Sequence, residues 1–222
     1  MDDDTDDSLT GGDAPTGVAE IADIVGSRRL ADRAAAQRAI LAAFAASEEA
    51  VAPVRAAWAT VGDEFQALHA TWAEAARATL RVALALPEGV ELRFGLGEGT
   101  HWELQARAED GVPLQEGTAW PRAREALEAA EARAHGVSTA YRGEDPELTL
   151  AVDGHLLLRD HVVRRLKARE RRLAAHLLAG RTQAQAATEE RITQSAVSQA
   201  LARSGALQLL ALDDALATGV PA

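Results

Sequence analysis

The spacing of apolar and polar positions changes several times along this chain, and each change marks an element. Gly17 to Val25 is apolar and rich in β-branched residues, the pattern of a buried strand. Residues 31–49 are dominated by alanine with Arg, Gln and Leu, a composition that favours helix. Pro53 ends that run. Val54 to Val61 reads as a second strand, Gly62-Asp63 as a tight turn, and Phe65 to Ala70 as a returning third strand. Trp72 to Leu86 predicts a second helix, closed by Pro87 and Gly89, and Val90 to Gly97 alternates as a fourth strand. Residues 100–116 are polar and loop-like, and Gly117 to Ala134 reads as a third helix.

The order β, α, β, β, α, β, α predicts an α+β fold, a ferredoxin-like sandwich with helices on one face of a mainly antiparallel sheet. Gly143 to Pro146 reads as a linker, and from Leu156 to Leu216 the pattern is almost wholly helical. The chain thus divides into an acidic tail over residues 1–16, expected to be disordered, an α/β domain over 17–146, and a small all-α domain over 147–222.

At 222 residues with 47% apolar content, the chain can bury a real core. It has no cysteine, which excludes a disulfide framework and thiolate metal sites and fits a reducing cytoplasm. No apolar run reaches the roughly 20 residues that span a bilayer. The first seven residues include five aspartates, the opposite of a signal peptide's basic start. A cytoplasmic protein with no membrane partner is expected. The net charge of −11 hides an asymmetry: Arg159 to Arg203 holds ten Arg/Lys against four Asp/Glu, or +6, which leaves −17 for the remainder. Such a split suits one segment to an anionic partner.

Two candidate sites follow. Asp23 interrupts an apolar strand, where an unpaired carboxylate is costly, and Asp63 sits in the turn between two strands. Adjacent strands can bring the two to one end of the sheet, where paired carboxylates suit Mg²⁺ or Mn²⁺ and, through the ion, a nucleotide triphosphate. Ile24, Gly26, Ser27 and Arg28 precede a helix, so their N–H groups are candidates for phosphate contacts. The second site is in the C-terminal part. Leu166 to about Leu178 predicts a helix ended by Gly180; Thr182 to Ala187 a short helix; and Thr193 caps a further helix, Gln194 to Arg203, stopped by Gly205. On that last helix Gln194, Ser195, Ser198 and Gln199 are candidate base contacts, with Ala196, Val197, Ala200 and Leu201 facing the core. Arg203 and the basic cluster that includes Arg169 and Arg172 are candidate phosphate contacts. The four tryptophans, Trp58, Trp72, Trp102 and Trp120, read as core. The six histidines are scattered, and there is no Walker loop and no Gly-x-Ser-x-Gly elbow.

Three of these stretches resemble, in order, elements of class III nucleotide cyclases: Asp23-Ile24-Val25-Gly26-Ser27, Gly62-Asp63-Glu64-Phe65 and Leu92 to Gly99. The resemblance covers about residues 17–130 and implies metal ligation by Asp23 and Asp63. Such cyclases orient the ribose and stabilise the transition state with an asparagine and an arginine on a later helix. In the matching stretch, Gly117 to Glu125, Pro121 stands in place of the asparagine and Glu125 in place of the arginine; Arg124 falls one position early and is expected to face elsewhere. The similarity therefore carries candidate ligands and no catalytic residues. The C-terminal helices resemble the helix-turn-helix of sigma-factor region 4, whose second helix enters the major groove. In place of the usual hydrophobic residue and glycine before Ile192, this turn has Glu190 and Arg191. Across residues 18–216 the chain resembles the SatD family of bacterial proteins, through Asp-Ile-Val-Gly-Ser-Arg, Gly-Asp-Glu-Phe-Gln, Gly-x-Ala-Trp-x-x-Ala-Arg-Glu-Ala-Leu and Gln-Ser-Ala-Val-Ser-Gln. The combined expectation is a DNA-binding transcriptional regulator, a homodimer or higher homo-oligomer, whose N-terminal domain binds a nucleotide or dimerises. The alternatives are a metal-dependent cyclase or nucleotidyl transferase, and a self-assembling interaction protein.

Overall fold

β1 (Thr16–Ile24) becomes the central strand because it is largely apolar toward both faces of the sheet; from Gly17 to Ala22 it is buried without interruption, and its one buried carboxylate there, Glu20, is met by His69 Nε2 at 2.8 Å. It pairs antiparallel with β3 (Glu64–His69) on one side and β4 (Leu92–Thr100) on the other. β2 (Arg55–Ala59) pairs antiparallel with β3, and β7 (Thr139–Arg142) runs parallel to β4, giving the order β2-β3-β1-β4-β7. With α1 (Arg33–Glu48) between β1 and β2, and α2 (Trp72–Ala85) between β3 and β4, the first four strands form the expected βαββαβ unit. The structure is a computed structural model and describes residues 14–60, 63–107, 113–133 and 138–220. The acidic tail up to residue 13, and Val61 and Gly62 of the turn, lie outside the described residues.

Helices cover both faces of the sheet, where one covered face was expected. Ala22, Ile24, Phe65 and Phe94 point toward α1 and the end of α2. Ala19, Ile21 and Leu68 point the other way, against Trp120, Ala123 and Leu127 of α3 (Ala119–Ala132). The close seat of α3 has a sequence cause in the alternate glycines of β4. A Cβ on Gly95 or Gly97 would stand 2.1 Å from backbone atoms of Ala123, and one on Gly99 2.3 Å from Thr118 Oγ1. Only a side-chain-free strand face lets the helix backbone approach this far.

Two elements were not expected. Part of the polar stretch over residues 100–116 forms a hairpin, β5 (Trp102–Arg107) with β6 (Pro113–Glu116). β7 is only four residues long and follows α3 with little alternation to mark it.

Of the expected linker, residues 143–145 lie between β7 and α4 (Pro146–Arg165); Asp145 caps Glu147 and Leu148, and Pro146 opens the first turn. α5 (Ala168–Leu178), α6 (Gln183–Glu189), α7 (Gln194–Ser204) and α8 (Ala206–Thr218) complete the chain. These helices share a core with the sheet layer. Leu80 and Leu84 of α2 enter the same apolar cluster as Leu173, Val197, Leu201 and Leu209. Charged contacts reinforce the junction: Asp213 of α8 accepts from Arg77 and Arg81 of α2. Buried Arg159 of α4 donates to Ala76 O and Thr79 Oγ1 of α2, to Thr139 Oγ1 of β7 and to Asp160. A buried guanidinium is tolerated only when its donors are met in this way.

Candidate functional site

Asp23 and Asp63 lie at the same end of β1 and β3 but serve opposite faces of the sheet. Asp23 has Glu64 of β3 and Arg93 of β4 as its cross-strand neighbours. Directly opposite residues share a face, so Asp23 looks toward α3. Its Oδ2 accepts from Arg93 Nη1 at 3.1 Å, and its Oδ1 is buried without a partner. Arg93 also meets Glu131 of α3 at 3.3 Å, and Arg124 of α3 meets Glu64 at 2.7 Å. Arg124, expected to face elsewhere, thus belongs to the surroundings of Asp23. Burial raises the Asp23 pKa above the usual carboxylate range; Arg93 opposes this, and Glu131 and Glu64 add to it.

Asp63, one residue before β3, turns to the α1 side. Both its oxygens accept from Arg33 Nη2 at 2.6 Å. The Ser27 hydroxyl and the Arg33 guanidinium hold its carboxyl below the usual range. The two aspartates therefore do not converge on a shared point. Each carboxylate meets an arginine, Asp63 through both oxygens and Asp23 through one, and among the described residues there is no group of three His, Asp or Glu that could hold a metal ion. A cation held between Asp23 and Asp63 would require Arg33 and Arg93 to give way.

The expected phosphate loop is also differently built. Ile24 is buried as the last residue of β1, and Val25 N donates to Glu91 O. Gly26 is left-handed, with φ 65°, and opens a short 3-10 turn, Ser27–Arg29. α1 begins only at Arg33, where the Asp32 carboxylate accepts from Ala35 N at 2.8 Å. That cap takes Ala35 N and leaves aside the N–H groups of Ile24, Gly26, Ser27 and Arg28, which were the phosphate candidates. Of the residues that replace the cyclase pair, Pro121 lies in the first turn of α3, and Glu125 meets Arg142 at 3.1 Å.

In the C-terminal helices, α6 and α7 pack on α5 and α8. Ala186, Ala187, Val197 and Leu201 are buried with Leu173 and Ala174, and Ile192 is half-buried beside them. α6 carries a capping box: Thr182 Oγ1 accepts from Gln185 N, and Thr182 N donates to Gln185 Oε1 at 2.8 Å. Thr193 Oγ1 caps α7 by accepting from Ala196 N at 3.2 Å, and Gly205 ends it at φ 83°. Between them Arg191 adopts φ 55°, the one non-glycine residue with positive φ among those described. The turn therefore has the left-handed residue that glycine would normally supply, and Ile192 N closes it onto Ala187 O at 2.9 Å.

Gln194, Ser195, Ser198, Gln199 and Arg203 are exposed on α7, with Ser195 and Gln199 opposite the buried Val197–Leu201 edge and Gln194 and Ser198 flanking it. Ala200 is half-buried as expected, whereas Ala196 is exposed, being next to the cap and beyond the edge of the α5 contact. Arg203 Nη2 donates to Gln199 Oε1 at 2.6 Å, and Ser195 Oγ lies 3.0 Å from Thr193 Oγ1. The basic cluster on α5 is less available than its sequence suggests. Arg171 donates to Ala83 O of α2, and Arg172 is held by Glu190; Arg169 is exposed.

Arg93, Arg33, Glu131 and Glu190 shape these sites and were not among the expected site residues. Strand alternation alone places Arg93 beside Asp23, so that signal was readable once the β1–β4 register was known. The chain matches no family profile and no curated protein. Among solved structures it is similar to the catalytic core of a rhodopsin-guanylyl cyclase with converted specificity in complex with ATPalphaS. That similarity has a TM-score of 0.37 and 16% identity, and covers 52% of this chain and 72% of that one.

Proposed function

We propose that this chain is a DNA-binding regulator in which α6 and α7 form the helix-turn-helix and α7 is the helix that enters the major groove. The observation that carries this reading is the exposed polar face of α7, set on a buried Val197–Leu201 edge and preceded by a left-handed turn at Arg191. Glutamine can bond an adenine edge at two points, and serine adapts to either partner, so Gln194, Gln199, Ser195 and Ser198 supply base contacts. Arg169 and Arg203 supply phosphate contacts, which position the protein without reading sequence. Arg172 joins them only if Glu190 releases it. The α+β layer is the sensing or assembly half: α2 shares its apolar cluster with α5, α7 and α8, so a change in the sheet layer reaches the reading helix through packed side chains. The SatD-like series of motifs supports a bacterial setting for this role.

Fluorescence anisotropy with sheared genomic DNA over a salt series tests the reading. Binding should weaken steeply with salt. Gln199→Ala should lower discrimination among sequences, and Arg169→Ala should weaken binding evenly and reduce the salt slope by about 1. Absence of salt-sensitive binding in the wild type overturns it.

A further inference from the structure

We infer that the solvent face of α4 is a self-association surface, through which two copies of this chain pair with their α4 helices antiparallel and crossing at Gly154. α4 is apolar on two opposite sides. Val152, Leu156 and Val163 are buried inward, while Leu150, Leu157 and Leu158 are 76%, 45% and 67% exposed. Leu150, Gly154, Leu157, Leu158 and His161 follow i, i+4, i+7, i+8 and i+11, which is one continuous helical stripe. A helix with apolar residues on both faces is one that packs on both faces.

The occupant and its direction follow from the stripe itself. A Cβ built on Gly154 meets nothing within 4 Å, so the stripe has a bare centre where a second helix backbone can approach. About that centre Leu150 and Leu158 are equidistant, as are Glu147 and His161. An antiparallel pair therefore sets Leu150 of one copy against Leu158 of the other. It also sets the acidic start of α4, at Glu147, against the basic end, at His161, Arg164 and Arg165, all of them exposed. A parallel pair would instead place Glu147 beside Glu147 and Arg165 beside Arg165, which opposes association. A single helix stripe covers less than the roughly 1,200–2,000 Å² of a standard interface. Weak, concentration-dependent association is therefore expected.

The absence of cysteine makes the test direct. Single-cysteine versions of the full chain are oxidised with copper phenanthroline: Gly154→Cys, Leu150→Cys, Leu158→Cys, and Ala42→Cys on the exposed side of α1 as control. Disulfides need Cα atoms about 4.4–6.8 Å apart. Gly154→Cys should link to itself quickly. Leu150→Cys alone should not, whereas an equal mixture of Leu150→Cys and Leu158→Cys should give the mixed dimer. In sedimentation equilibrium the wild type should show a monomer–dimer equilibrium that Leu158→Glu weakens at least about tenfold, with unchanged circular dichroism. A wild type that stays monomeric, with Gly154→Cys linking no faster than Ala42→Cys, overturns the surface. Self-linking of Leu150→Cys as fast as Gly154→Cys overturns the antiparallel arrangement.

Discussion

Arg172 of α5 donates two hydrogen bonds of 2.7 Å to the carboxylate of Glu190, the residue that ends α6 and begins the turn. The hydrogen bond from Arg172, with a further contribution from His176, holds the Glu190 carboxyl below the usual range. A carboxylate whose folded-state pKa is depressed stabilises the fold above its unfolded pKa, and the contribution is lost as pH falls through the folded value. Arg172 is 53% exposed, so solvent limits the pair to less than about 1 kcal/mol. A double-mutant cycle of Arg172→Ala and Glu190→Ala, read by urea unfolding, should give a coupling of about 0.5 kcal/mol at neutral pH and none in strong acid. A coupling that persists in acid means that the two side chains interact through packing and not through charge.

Arg191 holds the turn at φ 55°, a conformation that costs a side-chain-bearing residue about 1 kcal/mol relative to glycine. Arg191→Gly should therefore raise stability by roughly 0.5–1 kcal/mol, after the added freedom of the unfolded glycine is discounted. Arg191→Val should lower it, because a β-branched residue is still less suited to that region. Thermal unfolding of the three proteins ranks them; a glycine variant less stable than wild type would show that the arginine side chain contributes more than its backbone costs.

The first four strands and first three helices were legible because each carried a periodicity and a stop: Pro53, Pro87 and Gly89 fall just outside the elements they bound. The α7 face was legible for the same reason, since Thr193 and Gly205 fix where the helix starts and ends and so which residues lie opposite Val197. What periodicity could not supply is partnership between distant elements. Asp23 and Asp63 are both acidic and both at a strand end, yet one residue of register decides which face each serves, and register is not written in either segment alone. Arg93 and Arg33 are likewise ordinary positions until β4 and α1 are placed. The polar hairpin β5–β6 and the short β7 lack the alternation that marks a strand; β5 and β6 pair with each other in a sheet of their own, and β7 forms on the edge that β4 offers.

Gly97 is the tightest of these placements. A Cβ there would lie 2.1 Å from Ala123 N and 2.3 Å from Ala119 O, both backbone atoms of α3 that cannot turn aside. Gly97→Ala should cost about 3 kcal/mol by forcing α3 off the sheet. Gly154→Ala, where a Cβ meets nothing, should be neutral or stabilise by up to about 1 kcal/mol through helix propensity. Denaturant midpoints of the two variants should move in these different senses; equal midpoints would show that α3 has room to shift without loss.

Asp23 separates the two accounts of the β1 end. Burial raises its pKa, so the folded protein binds this proton more tightly than the unfolded chain. Its favourable contribution is then full below the ordinary carboxylate pKa and is lost as pH rises through the folded value. Asparagine stays neutral throughout. Asp23→Asn should thus gain on wild type as pH rises through that value and level off afterwards, by about 1 kcal/mol at most for a side chain 33% exposed. A gain confined to acid pH would mean that the Arg93 ion pair outweighs burial. Repeating the series in millimolar magnesium extends the same measurement to the cation. With Asp63 committed to Arg33 on the other face, neither curve should move. A magnesium-dependent rise in wild-type stability that Asp23→Asn abolishes would show that the two ion pairs open and that the carboxylates can still meet on one ion.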